Sequence, residues 1–179
     1  MSTEAQPDDP QRELLSLLEP ILARLAELDL PGRSGAEIRE LEQTLEREFP
    51  HAGDRAQAIG AQLQRGIDEG WLADRGGPEA RFSRVAKPSP ATHGMSIDVV
   101  SMVGAGLEHT HPAGEVTLGF AANVVSGGEP ANAAPGQFEG RAPGWVFLGP
   151  GSRHIPRVDG ERMNLIYFLP DGAVEWHRG

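Results

Sequence analysis

Cysteine is absent from the 179-residue chain. No disulfide, thiolate metal site or cysteine nucleophile can contribute, so any metal must be held by nitrogen and oxygen donors. Positive charge is scarce as well: 16 Lys and Arg stand against 26 Asp and Glu, a formal net charge of −10. No basic stripe offers the footprint that a nucleic-acid backbone needs, which removes nucleic acid from the expected partners. Lys87 is the only lysine and Tyr167 the only tyrosine. No apolar run approaches the roughly 20 residues that span a bilayer. The start MSTEAQPDDP has neither the basic stretch nor the apolar stretch of a secretory signal. The expectation is a cytoplasmic protein without a membrane partner.

What is present divides the chain in two. Residues 1–75 carry 16 acids and 8 arginines, whereas residues 76–179 carry 10 acids and 8 basic residues, so the acidic excess belongs to the first part. Residues 1–8 read as a disordered leader. Asp9 followed by Pro10 forms a good helix start, an N-cap acid with proline in the first turn. Leu14, Leu18, Ile21, Leu25 and Leu28 then recur at helical spacing. Pro20 is expected to kink this helix, and Pro31-Gly32 to end it. Ser34 and Glu37 fit a capping box, with Ile38, Leu41, Leu45 and Phe49 on one face of the helix that follows. A third helix is expected from Asp54 to about Gly70, with Ile59, Leu63 and Ile67 inward and Trp71 closing it. The helical region spans 9–75, and its apolar stripes read as helix-on-helix core.

Past Gly76-Gly77-Pro78 the apolar runs shorten and glycine and proline become frequent. Strands are expected at 96–103, 116–125, 145–148, 163–169 and 173–176. Gly/Pro turns and no helical periodicity between them predict an antiparallel sandwich or barrel over 80–179.

Within that region lies EHTHPAGEVTL. Side chains at i and i+2 share a face of a strand, so His109 and His111 point the same way, and Glu115 has the same parity. His154 follows the run at 145–148, after Pro150-Gly151. Three neutral imidazoles and a carboxylate suit a divalent transition metal, Zn, Fe, Mn, Ni or Cu, and spacing does not choose among them. His51, His93 and His177 read as loop or terminal residues rather than ligands.

This pattern, His109-x-His111-x3-Glu115 with Pro150-Gly151-x2-His154 downstream, resembles the two motifs of the cupin superfamily. A closer resemblance covers about residues 10–176. The helical front, KPSPATHGMSIDVVSM, HTHPAGEV, FEGRAPGWVFLGPGSRHIPRV and LIYFLPDGAVEW, in that order, are similar to the 4-hydroxylaminobenzoate lyase family. The resemblance implies an α+β fold, an N-terminal helical region followed by a cupin-type antiparallel β-barrel (double-stranded β-helix or jelly roll). It implies a metal held by His109, His111, Glu115 and His154, and conversion of 4-hydroxylaminobenzoate to 3,4-dihydroxybenzoate with release of ammonia. Glu115 either ligates the ion or moves protons.

A small aromatic carboxylate needs a cationic clamp, for which Arg84, Lys87 and Arg153 are candidates. Tyr167 is either a core aromatic or a proton donor. Trp145, alternating with Phe147, either packs or stacks on the ring. Residues 123–137, rich in Ala, Gly and Pro, read as an insertion-like segment, and a position over the barrel mouth would alter the substrate taken. Two other readings stay open: a different metal cupin, dioxygenase or isomerase, and a non-enzymatic binding barrel. A homodimer is compatible with all three.

Overall fold

In the computed structural model, which describes residues 9–123 and 134–178, three helices precede an all-antiparallel β region. The expected leader and residues 124–133 of the Ala/Gly/Pro segment lie outside the described residues. Helix α1 is Pro10–Leu28, α2 Gly35–Glu48 and α3 Asp54–Glu69. Their ends follow from local chemistry. Asp9 Oδ1 accepts from Gln11 N at 3.1 Å, and Glu37 Oε2 accepts from Ser34 N at 2.9 Å to complete a capping box. Gly70 closes α3 in the left-handed conformation. Exposed Pro20 sits inside α1, and the helix runs on through it.

Among the described residues ten strands follow: β1 Arg75–Gly76, β2 Ala80–Ala86, β3 Met95–Ala105, β4 His109–His111, β5 Glu115–Ala121, β6 Gln137–Phe138, β7 Gly144–Leu148, β8 Ser152–His154, β9 Arg157–Pro170 and β10 Glu175–Trp176. The larger sheet has the order β1-β2-β3-β9-β5-β7, with β6 also on β9; the smaller has the order β10-β4-β8. The apolar runs located β3, β5, β7, β9 and β10. They missed β2, β4 and β8, whose inward positions carry polar or ligand side chains. The run expected to reach residue 125 is a strand only to Ala121.

The helices cover the outer face of the larger sheet of their own chain. Leu14, Leu18, Ile21, Leu45, Ile59 and Leu63 are fully buried in one cluster with Ile97, Val99, Val116, Leu118, Phe120, Ile166 and Phe168. Each such aliphatic side chain contributes about 1.5–3 kcal/mol on burial, so helices and sheet are one core. Gly60 lets α3 approach closely, since a Cβ there would stand 2.7 Å from the Phe120 ring. Period-2 alternation assigns the other face. Asp98, Val100, Glu115 and Tyr167 point away from the helices, and together with His109 and His111 of the smaller sheet they wall a single cavity of about 490 Å³. The architecture is α+β: a helical region followed by two antiparallel sheets.

Candidate metal centre

Strands β4 and β8 pair so that His109 lies directly opposite His154, with His111 two residues along the same face. Residues Pro112 and Ala113 turn the chain. Gly114 then takes φ 83°, where a Cβ would stand 2.9 Å from the Leu148 carbonyl oxygen. That turn returns Glu115, first residue of β5, to the His111 side. The four side chains converge, and one donor atom from each lies within 4.8 Å of the others.

The donor geometry tests whether an ion fits. Nε2 of His109 and His111 stand 2.9 Å apart, those of His111 and His154 3.0 Å, and those of His154 and His109 3.2 Å. Glu115 Oε2 is 2.9 Å from His111 Nε2. Donors about 2.0–2.2 Å from one ion and 90–109° apart would be separated by about 2.8–3.6 Å, so the observed spacings suit a shared centre. The tautomers agree. His109 Nδ1 donates to the Leu107 carbonyl at 2.7 Å, which leaves the Nε2 lone pair facing inward. His154 Nδ1 faces the Glu139 carboxylate at 3.4 Å. An acceptor on that side likewise turns the Nε2 lone pair to the centre. Two lone pairs 3.2 Å apart repel each other unless a positive charge lies between them.

Burial pushes the His109 imidazole below its ordinary value, against the opposing pull of the Leu107 carbonyl. A neutral imidazole is the ligand form. Thr117 Oγ1 donates to Glu115 Oε1 at 2.7 Å, so one carboxylate oxygen is engaged and the other faces the histidines. His111 Nδ1 is buried and has no hydrogen-bond partner among the described residues.

The other candidates separate. Tyr167 lines the cavity, and burial, then the charges of Glu115, Glu139 and Asp98, raise its hydroxyl well above the usual tyrosine value. Arg84 also lines the cavity, its Nε donating to Asp98 Oδ1 at 2.9 Å. Lys87 is exposed beyond the end of β2 and is not in the cavity wall. Arg153 points outward from β8 into a two-bond pair with Glu108, at 3.0 and 2.9 Å, because it has the opposite parity to His154. Trp145 faces the helices and donates from Nε1 to the Phe49 carbonyl at 2.9 Å; parity in β7 turns it and Phe147 away from the cavity. The aromatic residue that the structure brings to the site is Trp176. It pairs with His109 across β10 and β4, its ring centroid is 4.9 Å from the His109 ring, and it is 63% exposed at the cavity mouth beside Phe82 and Leu107. Asp98 was missed too, although the one charged side chain of β3 was a readable signal.

The chain is 29% identical over 155 residues to a 4-hydroxylaminobenzoate lyase of Nocardioides sp. (strain LMS-CY), covering 83% of this chain and 86% of that one. Among solved structures, it is similar to the DMSP lyase DddQ from Ruegeria pomeroyi DSS-3, with 21% identity, TM-score 0.42, 94% of this chain and 96% of that one. It is also similar to an RmlC-like cupin protein from Ralstonia eutropha JMP134, with 12% identity and TM-score 0.37; that likeness covers 56% of this chain and spans 60% of the other. The family model for 4-hydroxylaminobenzoate lyase matches residues 33–176, and the chain belongs to that family.

Proposed function

We propose that the protein is a metal-dependent carbon–nitrogen lyase that converts 4-hydroxylaminobenzoate to 3,4-dihydroxybenzoate with release of ammonia. The observation that carries this reading is the joining of His109, His111, Glu115 and His154 at one cavity whose lining, among the described residues, holds Arg84 as its one Lys or Arg side chain, in a chain of this family. The reaction is balanced without an oxidant. The N–O bond breaks and hydroxide leaves with a proton as water. A water molecule adds to the ring carbon next to the one bearing nitrogen. The resulting imine hydrolyses before the ring regains aromaticity, and one water is consumed overall.

A divalent ion, when bound, supplies Lewis acidity toward an oxygen of the substrate or toward water. The chain's own residues would do the rest. Arg84 binds Asp98 through Nε, which leaves its terminal nitrogens for the substrate carboxylate. Asp98 in turn is held by Ser96 Oγ, which donates to its Oδ2 at 3.2 Å. Tyr167 stays protonated in its buried position and so serves as a hydrogen-bond donor to the departing hydroxyl rather than as a base. Glu115, with Oε1 taken by Thr117, acts as a ligand through Oε2. Trp176 flanks the ring at the mouth. The cavity volume, about 490 Å³, falls in the range of small-molecule sites.

The test is ammonia release from 4-hydroxylaminobenzoate by protein purified without added metal, with elemental analysis, a chelator arm and an oxygen electrode. Stoichiometric ammonia and 3,4-dihydroxybenzoate, lost on chelation and without oxygen uptake, is the expected result. Oxygen uptake with catecholic substrates and no ammonia would replace the lyase by a dioxygenase.

A further inference from the structure

The turn that joins β6 to β7 contains a residue whose backbone and side chain are hard to explain by folding alone. Phe138 and Arg141 exchange two hydrogen bonds of 2.9 Å, which makes Glu139-Gly140 a two-residue hairpin turn. Both residues have positive φ, 52° and 73°, the type I′ geometry that favours Asn-Gly or Gly-Gly. A glutamate in the left-handed region is uncommon, and such strain persists where the surroundings require that side chain. Here the side chain is partly buried and turned toward the histidine cluster, with Oε1 accepting from Arg157 N at 2.9 Å and standing 3.4 Å from His154 Nδ1. His154 Nδ1 is buried and makes no ordinary hydrogen bond to any described residue. The nearby carboxylate oxygen is its available acceptor.

We infer that Glu139 is a positioning residue for the metal centre: its carboxylate holds His154 as the Nδ1–H tautomer and aims Nε2 at the ion. Two of the three imidazoles are then supported from behind, His109 by a backbone carbonyl and His154 by a carboxylate, while His111 Nδ1 has neither among the described residues. A carboxylate behind a ligating histidine fixes the ring and raises its basicity, and losing one weakens metal affinity by about 10–100-fold. The inference rests on the metal centre of the proposed function but not on the substrate or the reaction.

The test is zinc titration against a chromophoric chelator, together with thermal unfolding of the metal-free protein, for wild type, Glu139→Gln and Glu139→Gly. Glycine relieves the backbone strain, and the Arg157 amide it abandons belongs to an exposed residue that water can serve. Glu139→Gly should therefore leave the melting temperature unchanged or raise it by about 2–4 °C while zinc affinity falls about 10–100-fold. Glu139→Gln keeps an acceptor without the charge and should fall between the two. Unchanged zinc affinity in both variants overturns the inference. So does a loss of affinity that comes with a lower melting temperature in both, since Glu139 would then only hold the hairpin. Wild-type protein that binds no zinc or other divalent ion overturns the inference and the metal centre together, a different pattern from either of these.

Discussion

His111 stands at the centre of the cluster, within 3.0 Å of His109 Nε2, His154 Nε2 and Glu115 Oε2. Replacing it by alanine removes the one donor that touches all the others. His111→Ala should lose both bound metal, measured by elemental analysis, and ammonia release; full activity in that variant would refute the site. Trp176 makes a different kind of contribution. Its side chain is mostly exposed and meets the His109 ring at a tilt of 55°, so Trp176→Ala should leave the fold intact. An aromatic stacking partner is worth about 0.5–1.5 kcal/mol, which predicts a rise in KM for the aromatic acid of about 2–10-fold with little change in kcat. An unchanged KM would remove Trp176 from the substrate's surroundings. At this scale the pairing of His109 with His111 was legible because i, i+2 spacing places imidazoles together within one strand. Trp176 was not, because its neighbour His109 lies 67 residues earlier and only strand pairing joins them.

Helix α2 seals the edge of the larger sheet. Strand β7 is terminal in that sheet, and its outer backbone groups need partners. Glu42, buried on α2, accepts from Phe147 N at 3.1 Å and is paired with Arg141. Glu42→Ala leaves the buried Phe147 amide without its acceptor, a loss of about 1–3 kcal/mol. The denaturant midpoint should fall with an unchanged slope. An unchanged midpoint would mean that water enters at this edge. The helices were readable from the sequence because their apolar stripes, caps and terminal glycine are local signals. Strands β4 and β8 were not found as apolar runs because their inward positions are given to histidine. Function and secondary-structure legibility compete for the same residues there.

The whole molecule has a stability window bounded by titratable groups whose folded environment shifts them. The folded His109 value lies below that of free imidazole, so its contribution is present above an ordinary value of about 6.5 and is lost as pH falls through the depressed one. Glu48, lowered by the Arg24 hydrogen bond, acts in the same direction further into acid. Tyr167 acts oppositely. Its folded value is raised by burial, so its contribution is present below an ordinary value of about 10 and is lost as pH rises through the folded one. The melting temperature of the metal-free protein should hold between about pH 7 and 10 and decline on both sides. In Tyr167→Phe the alkaline decline should weaken; a decline identical to wild type would remove Tyr167 as its cause.

From the sequence alone came the α+β order and the helix limits, since each depends on periodicity or capping within a short span, and also the candidate set of His109, His111, Glu115 and His154 that the fold brings together. Only tertiary structure decided which charges and rings line the cavity. Arg84, Asp98 and Trp176 turn inward while Lys87, Arg153 and Trp145 do not. That choice follows from register and strand parity between segments distant in the chain, where a shift of one residue reverses every side chain.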